Sequence, residues 1–277
     1  MSWLWRLLRK PEGAAGFAIL LVLLVAGLLA PVISPGDPLK IAGRALLAPF
    51  TDPGFPLGTD RLGRDVLAGL LYGARTSLAV GLAAAFAAMV LGLCVGLAAG
   101  FAGGLVDEAL MRVVDAFQIV PAFLLALAFV STIGVSTPIV VLAIAVGTWA
   151  DPARVTRAQV LAIREQDYVA SARVIGMHPA EIAFREILPN ALPPVLALSA
   201  TIVAGAILTE AALSFLGLGN PNIATWGSMI AEGRSVLRSA SYLSVIPGAA
   251  LAVTVLGVHL FSEGLGKALG DNGVRAA

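Results

Sequence analysis

The sequence predicts an all-α membrane protein: a polytopic bundle of six transmembrane helices carrying a helical loop held outside the lipid. Three observations carry that expectation. Of the 277 residues, 58% are hydrophobic and 13% charged, with a mean hydropathy of +0.92, against roughly 45–50% apolar residues in soluble domains. Six apolar runs are long enough to cross a hydrocarbon core about 30 Å thick at about 1.5 Å per residue. One insertion between two of them, Asp167 to Asn190, is both charged and helix-compatible.

The first run, residues 14–33, follows Arg6, Arg9 and Lys10. It exceeds the roughly 7–15 apolar residues of a signal peptide and is expected to stay as a helix. Residues 1–13 then form a cytoplasmic N-terminal segment and 34–75 an extracytoplasmic loop. Five further spans, near 76–103, 112–131, 136–154, 191–216 and 244–263, make a core over 76–263 that includes the loop 164–190, and 264–277 is a cytoplasmic tail. With both termini inside, 11 of the 18 lysines and arginines fall on the cytoplasmic side and 7 outside, the sign the positive-inside rule requires. In the second span Gly81, Gly92, Gly96 and Gly100 form a packing face, since small residues let helix backbones approach closely in lipid. Cys94, the single cysteine, reads as a small buried apolar residue.

Within Asp167–Asn190, Tyr168, Ala172 and Ile175 recur at helical spacing before Gly176, and Phe184, Ile187 and Leu188 after it. The reading is two short helices turned at Gly176, the second opened by Pro179 and stopped by Pro189. Such an element suits docking of a soluble partner.

Ionisable residues inside spans are functional candidates by default. Asp115 and Asp151 are placed near the cytoplasmic face, capping or pairing with Arg112 or Arg154. Glu210, 19 residues after Ala191, falls near the outer surface. Glu210 and Gln118, the latter one turn before the helix-bending Pro121, are the candidates for a translocation path.

Several chemistries find no support. Gly264-Leu265-Gly266-Lys267 is followed by Ala268 rather than Ser or Thr, so no phosphate-binding loop is present. His178 and His259 stand far apart and form no metal motif, and no nucleophile elbow occurs. A net charge of +1 does not suit nucleic-acid binding. Catalytic, cofactor and metal residues are therefore none in this chain.

Two motifs carry a resemblance. In the long insertion Ala172, Gly176, Leu188 and Pro189 stand in the register of the coupling loop of ABC-importer permease subunits; Ala170, Ser171 and Glu186 depart from it. Outside, Leu57-Gly58-Thr59-Asp60, two residues, then Gly63-Arg64-Asp65 is similar to a pattern of the dipeptide, oligopeptide and nickel permease family. The likeness continues through Met111–Asp115 with Pro121, Trp149 with Arg154, Arg157 and Gln159, and Leu213–Gly219 with Trp226-Gly227, covering Leu57 to Gly266. Asn220–Thr225 lacks the paired prolines usual there.

The resemblance implies the type I importer permease fold and an inner-membrane, solute-binding-protein-dependent importer of di- or oligopeptides. A second, homologous permease would complete a heterodimer in membrane lipid, two ATP-binding cassette subunits would bind ATP and Mg, and an extracytoplasmic solute-binding protein would deliver cargo. The coupling residues would be Ala170, Ser171, Ala172, Arg173, Gly176, Met177, His178, Glu181, Leu188 and Pro189, and the outer loop motif Gly58, Thr59, Asp60, Gly63, Arg64 and Asp65. A nickel or other small-solute importer is the alternative, and an ATP-independent secondary transporter the rival class.

Overall fold

A computed structural model describes Leu7 and residues 9–270. Arg6 and Arg275, counted above toward the charge bias, lie outside the described residues, as does the end of the tail. Among the described residues there is no β-strand, only isolated bridges between Ile41 and Arg64 and between Thr59 and Asp65.

Helix α1 (Pro11–Leu28) opens with Pro at its first turn and leads into the one-turn α2 (Ala30–Ile33). Most of α1 faces outward, with 17% of its apolar window buried, so it is a peripheral span. It packs on the last helix, α12 (Tyr242–Gly270), where Gly16 meets the backbone of Gly257 and Phe261. Lys267 closes the pair with an ion pair to Glu12 at 3.0 Å.

The central strut is α3 (Val66–Ala102), 37 residues long. It starts ten residues before the expected span because the Asp65 side chain caps it, accepting the Leu67 N–H at 2.9 Å. One glycine face of α3 receives α7 (Ala150–Arg164): a Cβ on Gly96 would lie 2.4 Å from the Ala153 carbonyl oxygen.

The third and fourth spans are broken. Helix α4 (Gly104–Ile119) and α5 (Ala122–Ile133) meet at 86°, and α6 (Thr137–Thr148) and α7 at 45°. Pro121 fixes its own φ and has no N–H, so the chain turns there far more sharply than a bent helix. At the second break Trp149 supports the corner by an edge-to-face contact with Phe117, centroids 5.2 Å apart. Counting each broken pair as one span gives six. The main core joins α3–α7 to α10 (Leu188–Phe215) through small and branched residues such as Ala84, Ala88, Ile144, Ala153 and Leu213.

Helix α8 (Asp167–Val174) and the one-turn α9 (Pro179–Glu181) lie between α7 and α10. The expected stop at Pro189 is absent. A π-helical segment, Ile182–Ile187, joins α9 to α10, making one continuous 37-residue helix from Pro179 to Phe215. Pro189 offers no N–H and its ring crowds the carbonyl one turn earlier; widening to the π form makes room. At the other end of the bundle the short α11 (Trp226–Arg234) begins with a capping box between Thr225 and Ser228.

Candidate functional site: a braced helical segment and a latched outer loop

Gly176 ends α8 in the left-handed region at φ +81°. The Met177 N–H donates to the Ala172 carbonyl and the Gly176 N–H to the Arg173 carbonyl, both at 3.1 Å, the two bonds of a Schellman cap. The turn is thus fixed rather than hinged. His178 then caps α9, its Nδ1 accepting the Ala180 N–H at 3.2 Å, and Glu181 pairs with Arg185 one turn on.

Val169, Ala172, Ile182 and Ile187 are buried against Leu97, Val160 and Ala191. Of the expected Tyr168, Ala172 and Ile175 stripe, Ala172 alone lies in this seam. Arg164 strengthens the base by donating to the carbonyls of Gly100 and Phe101 at 3.0 and 3.4 Å, which have no helical partner at the end of α3. Tyr168, Val174, Ile175 and Phe184 point away, Val174 and Ile175 being 86% and 81% exposed. Of the coupling residues named from the sequence, Ala170, Ser171, Arg173, Gly176, His178 and Pro189 are exposed, Met177, Glu181 and Leu188 half-buried, and Ala172 buried. Cys94 is exposed, not buried. It lines an apolar cleft of about 690 Å³ between α3 and the His178–Phe184 stretch.

At the opposite end of α3 the loop motif folds on itself and onto α11. Thr59 Oγ1 donates to the Arg44 carbonyl and accepts the Leu47 N–H, and Asp60 accepts the N–H groups of Leu62 and Arg64 at 2.8 Å. Gly58 and Gly63 take φ of +78° and +83°, turns that other residues adopt only under strain. Across the gap Arg64 pairs with Glu232 at 3.3 Å and Arg61 donates to Ser235 at 2.7 Å. The single Tyr242 O–H proton is shared between the carbonyls of Leu47 and Thr59. Partial burial pushes the Glu232 carboxyl above its usual range, the Arg64 charge opposing and Asp60 reinforcing the rise.

Glu210 lies five residues before the end of α10, at the end of the bundle where α11 begins, and its side chain is buried. At 2% exposure its carboxylate accepts Ser77 at 3.1 Å and Ser214 at 2.7 Å, and Ser77 in turn accepts the Trp226 N–H at 3.3 Å. The acid ties α3, α10 and α11 together. Gln118 stays half-exposed and donates to Asp151 Oδ1 at 2.7 Å. Asp115 pairs with Arg154 at 2.6 Å, Arg112 with Glu108 and Arg157 with Asp107. Asp115 lies near the end of α4 and Asp151 in the first turn of α7, each beside the break in its span. Among the described residues no group of three His, Cys, Asp or Glu is placed to hold a metal ion.

A bundle of apolar helices with two broken spans and a charged, capped helical segment at one end is the architecture of a transporter's membrane subunit. Residues 92–271 match the family of binding-protein-dependent transport system inner membrane components. The chain belongs to that family. It is 44% identical to the probable peptide ABC transporter permease protein y4tQ of Sinorhizobium fredii, over 93% of this chain and 88% of that one. The dipeptide transport system permease protein DppC of Escherichia coli K12 is 40% identical over 96% and 91% of the two chains.

Among solved structures, an amino acid ABC transporter crystallised with histidines superposes at a TM-score of 0.55 with 18% identity, covering 72% of this chain and 93% of that one. The inward-facing MetNI methionine ABC transporter gives 0.54 and 20%, covering 75% and 95%. These likenesses show the fold.

Proposed function

We propose that this chain is one of two homologous permease subunits of an ATP-driven peptide importer, with both termini and Asp167–Asn190 on the cytoplasmic side. Two ATP-binding cassette subunits bind ATP and Mg and press on the segment, and a solute-binding protein feeds the opposite face. The supporting observation is the segment's division of labour. Its apolar base is buried on α3 and α7, while Tyr168, Val174, Ile175 and Phe184 are left uncovered on a turn closed by a Schellman cap. A fixed helix transmits displacement to the span it continues into, and Pro179–Phe215 is one helix. Large exposed apolar groups on a polar, membrane-external element mark a docking surface. Peptide cargo is supported by the peptide and dipeptide permeases among the relatives.

Reconstitution of the whole assembly in proteoliposomes tests the reading. Uptake of labelled dipeptide that requires ATP and the binding protein is expected. Transport of nickel chelates instead would reassign the cargo, and transport by the chain alone on an ion gradient would refute the reading.

A further inference from the structure

The junction of α4 and α7 carries a charge that the bundle does not neutralise. Asp151 lies in the first turn of α7, beside the 45° corner that α7 makes with α6. Its Oδ1 accepts the Gln118 amide N–H, three residues before the Pro121 break in the third span. Neighbouring acids on this face have cations: Asp107 has Arg157 and Asp115 has Arg154. Asp151 has only the Gln118 amide, and among the described residues no Lys, Arg or His lies within ion-pair range of it.

The face is open. Asp151 is exposed, and the side chains of Asp115 and Arg154 are 58% and 53% exposed. A charged group facing hydrocarbon within a span is so costly that such residues face a bundle interior or a water-filled cavity. Asp151, Arg154 and Ala158 recur at i, i+3 and i+7, so they make one stripe along α7. Two broken spans meeting there is the setting in which transporters place solute contacts.

We infer that this stripe is a wall of the aqueous conduit, and that the Asp151 carboxylate, oriented by Gln118, is the contact for the ammonium group of a passing solute. The Asp115–Arg154 pair lies one turn further along, where the guanidinium can meet a carboxylate that follows. A solute bearing both charges, as an unblocked peptide does, would be handed from one to the other. The inference rests on the importer reading above and adds the residues that meet cargo.

The test uses the assembled transporter in nanodiscs, with Cys94→Ala removing the single cysteine. Reporters are Gln118→Cys and, separately, Ala158→Cys, an exposed alanine on the same stripe. Each is modified with a cationic trimethylammonium and an anionic sulfonate methanethiosulfonate, with and without ATP. A sulfur about 6 Å from a unit negative charge, even at the dielectric of water, should favour the cationic reagent about tenfold. Adding Asp151→Asn should remove that preference at position 118. Reporters that both stay unreactive in every nucleotide state, or a reagent ratio unchanged by Asp151→Asn at a reactive reporter, would overturn the inference. Binding-protein-stimulated ATP hydrolysis of the same preparations is scored separately: its loss in the Cys94→Ala parent speaks against the importer reading, whereas its presence with a flat reagent ratio speaks against Asp151 alone.

Discussion

Ile175→Asp is the substitution that separates docking from folding. Ile175 is 81% exposed at the end of α8, with Gly176 turning the chain away behind it, so the variant should keep the chain's own stability within about 0.5 kcal/mol. If the side chain is covered by an ATP-hydrolysing subunit, its burial contributes roughly 1.5–3 kcal/mol to the contact. A carboxylate in its place also has to be desolvated, raising the loss to about 3 kcal/mol or more and weakening association at least 100-fold. Ala172→Asp is the counterpart. Ala172 is 6% exposed within the seam of Val169, Ile182 and Ile187, so a charge there should unfold the segment and lower thermal stability before docking is reached. The assay is titration of purified ATPase subunits against the permease in nanodiscs, beside thermal unfolding of the permease alone. Affinity within about threefold of the parent for Ile175→Asp, or a thermal loss as large as that of Ala172→Asp, would refute the reasoning.

Gly96→Val should push α3 off α7, since its Cβ would stand 2.4 Å from the Ala153 carbonyl oxygen; a loss of about 1–3 kcal/mol or more is expected in thermal unfolding, and an unchanged midpoint counts against the packing. Gly176→Ala should cost about 1 kcal/mol from the backbone alone, because nothing lies within 4 Å of the added methyl. Gly176→Asn should cost less, and hydrogen exchange at the Met177 N–H reads both. The folded chain holds the Glu232 proton more tightly than a free carboxyl does. It therefore binds more protons than the unfolded chain just above the ordinary carboxylate range, and this contribution to stability is present at lower pH and lost as pH climbs through that window. The fall in thermal midpoint between pH 5 and pH 7 should be steeper for the parent than for Glu232→Gln, and equal slopes would contradict the assignment.

The apolar spans were legible because hydropathy is a property each run carries by itself. What depends on neighbours was not. An eight-residue helix shows only two turns, so Tyr168 and Ile175 fit a seam as well as Val169 and Ala172; the glycine face of α3 and the position of α7 decide between them. Glu210 was placed by counting along one helix, yet its environment is set by Ser77 on another. Pro121 signalled a bend but not one of 86°, and no residue pattern announces the π-helical stretch that lets Pro189 stay inside a helix. Asp107 and Arg157, 50 residues apart, meet only because two broken spans cross.

Site-directed cross-linking from position 175 tests most directly the claim that Asp167–Asn190 receives work from an ATP-hydrolysing partner. In the assembled transporter carrying Cys94→Ala and Ile175→Cys, a short thiol-reactive cross-linker should join this chain to an ATP-binding subunit, with a yield that changes between nucleotide-free and ATP-bound states. A cross-link to the solute-binding protein, or labelling of position 175 by an impermeant reagent added only from outside intact cells, would contradict it.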